Sequence, residues 1–275
     1  MKDLRNAPFV KELGETADNM YRLGWNERNG GNISILLGDD ELKPYREETD
    51  PILRDIPLAV SFPEFAGRYF LVTGTGKYFK NISKSPEKCL GLIRISLDGS
   101  VGHLLWGYTE GGGCTSEIIM HLGAHLQRLK TEPNQRVVRH AHPANVISMT
   151  HVHPWDEREF TRSIWQTCTE CIVIFPDGIG VLPWMVSSNA AIGVASAEKF
   201  SEYRILVWAL HGCTVTGTSL DEAFGLLETV EKGAEIYMKI YDCPHRRGID
   251  NEMLKDVAKA FGLTVKEGYL SDDHS

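Results

Sequence analysis

The chain has 275 residues, 42% hydrophobic and 24% charged, with 26 glycines and 12 prolines, a globular composition with ample material for a core. Lys and Arg number 29 against 37 Asp and Glu, a net charge of −8, with the basic residues dispersed, so no footprint for nucleic acid or an anionic membrane is present. A small anionic substrate stays open, because backbone N–H groups and hydroxyls hold phosphate without a net positive charge.

The opening MKDLRNAPFVKELGETADNM alternates charges and lacks the apolar stretch of a signal peptide. The longest apolar runs, CIVIF and ILVWAL, fall far short of the ~20 residues of a membrane-spanning helix. Six cysteines (Cys89, Cys114, Cys168, Cys171, Cys213, Cys243) are scattered, which suits reduced thiols. No repeat, low-complexity tract or linker divides the chain. A soluble, cytoplasmic, single-domain protein is expected over residues 1–275.

In chain order, residues 8–24 read as an amphipathic helix ending near Gly24, and NISILLGDD (32–40) as a strand alternating Ile33, Ile35 and Leu37. Residues 41–64, with Pro44, Pro51, Pro57 and Pro63, read as an irregular insertion. RYFLVTGTG (68–76) is a strand running into a glycine-rich turn, and residues 90–107 form a hairpin about Asp98-Gly99. Residues 115–130 are a helix, RVVRHAH a strand, and Pro143 opens the next helix. ECIVIFPDGIGVLPW reads as further strand, and RILVWALHG (204–212) as an apolar strand stopping at His211-Gly212. Ser219 and Glu222 make a capping box for a helix at about 220–241, and a last helix covers about 250–261. Strands and helices mix without strict alternation, which points to an α/β fold with a mixed or antiparallel sheet covered by helices.

His140 and His142 project from one face of their strand, and His211 closes another strand. Alone, His-x-His is equally a polar strand end. If the two strand ends lie side by side, a third imidazole there completes the three-nitrogen pattern of a catalytic zinc with an open position; otherwise the polar strand-end reading stands. His151-Val-His153 reads as a surface loop; Cys168-x-x-Cys171 lacks the second Cys-x-x-Cys of a metal site, so Cys171, leading into IVIF, reads as a core thiol, with redox chemistry the lesser alternative. His121 and His125, four residues apart, have no partner pattern. Thr115-Ser116-Glu117 opens a helix after Glu110-Gly-Gly-Gly-Cys114: its hydroxyls are either a simple N-cap or a phosphate site on unpaired N–H groups. Arg28-Asn-Gly-Gly-Asn32 and Thr73-Gly-Thr-Gly76 are compact polar turns whose glycines let backbone amides approach a ligand.

Taken together, GWNERNGGNISI, FLVTGTGKYF, LLWGYTEGGGCTSE, RHAHPANVISMT, TECIVIFPDGIGVLPWM and LHGCTVTGTSLDEAFGLLET resemble, in order over most of residues 20–230, the zinc-dependent class II aldolases that act on sugar 1-phosphates. FPDGIGVLPWM and the insertion favour the rhamnulose 1-phosphate branch. The resemblance implies a three-layer α/β/α fold with a central, largely antiparallel mixed sheet. It implies reversible cleavage of L-rhamnulose 1-phosphate to dihydroxyacetone phosphate and L-lactaldehyde through a metal-stabilised enediolate. It places His140, His142 and His211 on the ligands of one zinc ion per subunit, Glu117 on the proton-transferring carboxylate, and Glu170 on a second acid near the aldehyde end. Asn29, Gly31, Asn32, Thr75, Gly76, Thr115 and Ser116 fall on the phosphate cradle. A homotetramer is implied by kinship. The alternatives are a related aldolase or 4-epimerase acting on fuculose 1-phosphate or ribulose 5-phosphate, or a non-catalytic adducin-like interaction domain; the latter relatives lack the ligands that this chain retains.

Overall fold

The structure, a computed structural model, describes residues 3–271. Its strands are β1 (Asn32–Leu37), β2 (Arg54–Pro57), β3 (Tyr69–Thr73), β4 (Leu90–Ile95), β5 (Val101–Gly107), β6 (Val137–Ala141), β7 (Gly180–Leu182), β8 (Ile205–Trp208) and β9 (Gly212–Gly217). Its helices are α1 (Pro8–Arg22), α2 (Asp39–Leu42), α3 (Arg46–Thr49), α4 (Pro86–Cys89), α5 (Ile118–Thr131), α6 (Ala144–Val152), α7 (Glu157–Trp165), α8 (Thr169–Ile174), α9 (Ala190–Lys199), α10 (Leu220–Ile240) and α11 (Asn251–Phe261). The strands form one sheet in the order β2-β5-β4-β3-β1-β6-β9-β8-β7. Every pairing is antiparallel except β7 with β8.

Both faces of β1 are buried, and its period of two divides them. Ile33, Ile35 and Leu37 join the core built with Leu13 and Met20 of α1 and Leu227 and Val230 of α10. Leu36 enters the opposite core with Phe70, Val72 and Leu122 of α5. Farther along that second face, Val138, Leu206 and Trp208 pack on Met120 of α5 and Ile192 of α9. The expected three-layer α/β/α arrangement with a largely antiparallel sheet is therefore present. No helix among the described residues is long and apolar enough to cross a membrane.

The structure corrects five local readings. The stretch 41–64 is not wholly irregular: β2 lies within it and adds an edge strand to β5. Its polar Arg54 and Asp55 and terminal Pro57 belong to an edge, where one side of the ladder is solvent and proline is tolerated. TECIVI forms α8 rather than strand: Cys171 and Ile172 are buried and Val173 packs partly against the core, while Ile174 is exposed. Short apolar runs do not separate helix from strand by periodicity. His211 lies not at a terminal strand end but in the tight turn joining β8 to β9. His151 ends α6 instead of lying in a loop, and His153 bonds Ser163 at 2.8 Å. The α10 cap is as read on one side, Ser219 accepting from the Glu222 N–H at 3.0 Å, but the Glu222 carboxylate returns to the Thr218 N–H.

Trp165 is the largest fully buried side chain; its indole N–H donates to the Phe175 carbonyl at 3.3 Å and its ring lies 5.9 Å from that of Tyr269. Trp165→Ala should cost about 3–5 kcal/mol of stability, read from urea denaturation; a loss below about 1 kcal/mol would show that the core tolerates this void.

Candidate active site

The pairing of β1 with β6 sets Asn32 opposite His140, both on the sheet face covered by α5 and α9. β9 continues that face, and Thr214 lies opposite His140 on its other side. The His140 Nδ1 hydrogen-bonds the Thr214 Oγ1 at 2.9 Å, leaving Nε2 buried with no hydrogen-bond partner. His142 follows on the same side, its N–H donating to the Trp25 carbonyl at 2.8 Å and its Nδ1 bonding the Glu27 carboxylate at 2.9 Å. His211 enters from the β8–β9 turn, so one ligand atom from each of the three imidazoles lies within 4.8 Å of the others. Trp208 walls the cluster, its ring centroid 4.8 Å from that of His140 and 5.1 Å from that of His211.

The turn that delivers His211 is held in an uncommon backbone state. Leu210 has φ +61°, which costs an ordinary L residue about 1–3 kcal/mol, and its N–H donates to the Thr150 hydroxyl of α6 at 3.0 Å. Gly212 follows because there is no space for a side chain. A Cβ there would lie 2.4 Å from the Ala141 carbonyl oxygen and 3.0 Å from both the His140 and His142 rings. Gly31, at φ +75°, brings its loop equally close; a Cβ there would lie 2.7 Å from the His140 carbonyl oxygen.

Glu117 caps the N-terminus of α5 and is 7% exposed. Its Oε2 accepts from the Asn32 amide at 2.8 Å and lies 3.9 Å from the His140 Nε2. Burial pushes the Glu117 carboxyl up, while the Asn32 hydrogen bond pulls it back down. Burial, followed by the neighbouring His142 and His211, holds His140 neutral with a pKa well below the ordinary imidazole value, and burial lowers His211 to about 4. The 3.9 Å approach is therefore not an ion pair. It leaves the His140 Nε2, which has no hydrogen-bond partner, facing the Glu117 carboxyl across 3.9 Å. Such a buried donor set fits a cation, and three imidazoles suit zinc.

The other predicted residues gather on adjoining loops. Thr75, after β3, donates its N–H to the Gly113 carbonyl at 3.0 Å, and the Thr115 N–H donates to the Thr73 carbonyl at 2.9 Å. These bonds zip the Thr75–Gly76 turn to the segment leading into Glu117. The Thr115 hydroxyl accepts from the Glu117 N–H at 3.3 Å, and the Ser116 hydroxyl donates to the Ser188 hydroxyl at 3.0 Å. Asn29 is exposed on the loop that supplies Glu27 and Gly31. Arg54 of β2 bonds the Gly112 carbonyl, and Lys88 pairs with Glu110 at 2.8 Å. The insertion thus restrains the glycine-rich loop before Thr115.

Glu170 stands elsewhere in the bonding pattern. It is exposed in the first turn of α8, accepts from the Cys168 thiol at 2.6 Å, and makes no hydrogen bond or ion pair with the triad, Glu117 or the cradle among the described residues. Cys171 is a buried thiol, as its sequence setting suggests. Sequence reasoning missed Glu27, Thr214, Trp208 and His121. Glu27 and Thr214 had one usable signal, their places beside the polar turns and strands that carry the ligands; His121 showed only its spacing from His125.

Comparison with known proteins agrees with this geometry. Residues 11–238 match the family model described as the class II aldolase and adducin N-terminal domain. A rhamnulose-1-phosphate aldolase of Listeria monocytogenes is 47% identical over 272 residues, covering 98% of this chain and 99% of that protein. One of Enterococcus faecalis is 46% identical over 269 residues, covering 97% of this chain and 95% of that protein. Among solved structures, a sugar-phosphate aldolase from Thermotoga maritima shares the fold with a TM-score of 0.74 at 24% identity, over 86% of this chain and 97% of that one. Fold, donor set and near-complete sequence coverage converge: the chain belongs to the class II aldolase and adducin family.

Proposed function

We propose that this chain is a zinc-dependent carbon–carbon lyase that reversibly cleaves L-rhamnulose 1-phosphate to dihydroxyacetone phosphate and L-lactaldehyde. The observation that carries the chemistry is the bare, buried His140 Nε2 facing Glu117 inside a three-imidazole cluster. The choice of sugar is supported by relatives that carry the rhamnulose-1-phosphate aldolase name at 47% identity along almost the whole chain. A non-catalytic interaction domain has no use for such a donor set.

His140, His142 and His211 would hold the ion, with Thr214 and Glu27 orienting two of the rings through their Nδ1 atoms. When bound, zinc supplies a Lewis acid for the negative charge that builds on the ketose oxygens. In cleavage, the bond between C3 and C4 breaks, its electron pair stays on C3, and the C4 hydroxyl proton passes to solvent water as the aldehyde forms. Glu117 then gives a proton to C3; in the synthetic direction its carboxylate takes that proton. Burial favours its neutral form and the Asn32 hydrogen bond its ionised form, so the two influences oppose each other.

The phosphate would sit between the Thr75–Gly76 turn and Thr115–Ser116, with Asn29 and Gly31 on the facing loop. The Thr115 hydroxyl accepts from Glu117 and keeps its own proton for an anion. Holding the phosphate turns remote binding energy into orientation of C3 beside Glu117. The Asn32 side chain bonds both Glu117 and His121, which supports a part for it in proton transfer beside the cradle. Exposed Trp184 and Val186, close in sequence to the Ser188 that meets Ser116, support an assembly that covers this edge, in keeping with a cytoplasmic homotetramer.

A coupled assay for dihydroxyacetone phosphate on a panel of ketose phosphates tests the substrate. L-Rhamnulose 1-phosphate should be cleaved fastest, ahead of L-fuculose 1-phosphate and ribulose 5-phosphate, with activity removed by chelator and restored by zinc. Metal-free protein with undiminished turnover would overturn the reading. Glu117→Gln should keep its metal and lose about 10²–10⁴-fold in turnover, whereas His211→Ala should lose both metal and turnover.

Glu27→Ala gives a separate check through metal affinity. Competition with a chromophoric chelator should show zinc bound about 10–100-fold more weakly. Unchanged affinity would mean that the Glu27–His142 bond does not persist in the loaded site.

A further inference from the structure

Two histidines on α5 stand outside the metal cluster and away from solvent. His121 and His125, one helical turn apart, are buried against β1 together with Ser34. Four hydrogen bonds join them to the catalytic carboxylate in a line. His125 Nε2 meets Ser34 Oγ at 2.8 Å, Ser34 Oγ meets His121 Nδ1 at 2.7 Å, His121 Nε2 meets Asn32 Oδ1 at 2.5 Å, and Asn32 Nδ2 meets Glu117 Oε2 at 2.8 Å. Asn32 and Ser34 are two apart on β1, so they share the face that α5 covers.

The direction of this line follows from donor and acceptor chemistry. An ionised carboxylate only accepts, so Asn32 turns its amide nitrogen to Glu117 and its carbonyl to His121. His121 must then donate from Nε2, which leaves Nδ1 to accept the Ser34 hydroxyl proton. Ser34 in turn accepts from the His125 Nε2–H. Each donor points toward Glu117, and every link is used once. With that line broken, the Asn32 amide is free to rotate by half a turn and present its carbonyl to the carboxylate.

Glu117 is held through Oε2 alone; Oε1 takes no hydrogen bond from any described residue. We propose that His121 is a positioning residue for proton transfer: by fixing the Asn32 amide it pins the Glu117 Oε2 and leaves Oε1 as the atom that meets the substrate carbon. This rests on the reading of Glu117 as the proton-transferring group. Ser34 and His125 serve it by fixing which His121 nitrogen carries the proton. A fully bonded buried network of this kind specifies one arrangement where an apolar pair would not.

Two substitutions in the full-length, metal-loaded enzyme separate this role from packing. His121→Gln places an amide nitrogen near the position of Nε2, so it restores a donor to Asn32. His121→Asn keeps an acceptor for Ser34 but reaches no donor to Asn32. Metal content should be unchanged in both. His121→Asn should lose about 10–100-fold in kcat with KM nearly constant, and His121→Gln should recover most of that loss. Equal losses in the two variants, or wild-type kcat in His121→Asn, would overturn the proposal. Imidazole 15N–1H spectra of the wild-type protein give a readout independent of turnover. His121 should be neutral with its proton on Nε2, and that proton signal should move in Asn32→Ala. A proton on Nδ1 would overturn the proposal whatever the activity. Failure of the wild type to cleave any ketose phosphate would instead overturn the functional reading, with the tautomer still decided.

Discussion

The site depends on the antiparallel register that sets Asn32 of β1 against His140 of β6. That one pairing places the carboxylate's hydrogen-bond donor beside the most buried imidazole of the three-histidine cluster, on the sheet face that α5 covers. Because side chains alternate with a period of two, a slip by one residue would turn Ile33 toward the helix and Asn32 and Ser34 toward the apolar core. Register is protected because both faces of β1 are buried, with Ile33, Ile35 and Leu37 locked into the larger core. Catalytic geometry and core packing are thus enforced by the same residues of one strand.

Around that pairing the protein gathers several groups that are individually unfavourable. His140 carries a buried nitrogen with no partner, Glu117 is a carboxylate drawn out of water, and Leu210 occupies the left-handed region. Arg28, beside Glu27, and Ser188, which meets Ser116, also have positive φ. Strained and unsatisfied groups persist where the surrounding structure over-determines them. Here Thr214 holds His140, Glu27 holds His142, Thr150 holds the Leu210 N–H and Asn32 holds Glu117, each by hydrogen bonding. A cation held by the three imidazoles would give the partnerless His140 Nε2 a bond.

The edge of the sheet contributes as well. β2 falls in a stretch that composition marks as irregular, yet its Arg54 holds the glycine-rich loop that precedes Thr115. Glycines in that loop let the chain turn tightly, and Arg54 with the Lys88–Glu110 pair limits the freedom that the glycines bring. The Thr115 and Ser116 hydroxyls and the Glu117 carboxylate are then presented from one restrained segment, Thr115 to Glu117.

Much of this was legible in the order of residues. The alternation of β1, the Asp98-Gly99 hairpin, the Ser219 cap and the two histidines spaced by one residue are local signals, and local geometry decides them. Resemblance in the ordered motifs added the ligand set and Glu117. Tertiary structure alone decided the rest. TECIVI became helix because only one side of it could be buried, and GCTVTG became β9 because a three-residue turn folded it back on β8. Glu27 is 115 residues from His142, and Asn32 is 89 from His121, so no window along the chain relates them. Spacing tells which side chains share a face of one element; which elements meet, and which lone pair is left bare between them, is set by the packing of the whole sheet.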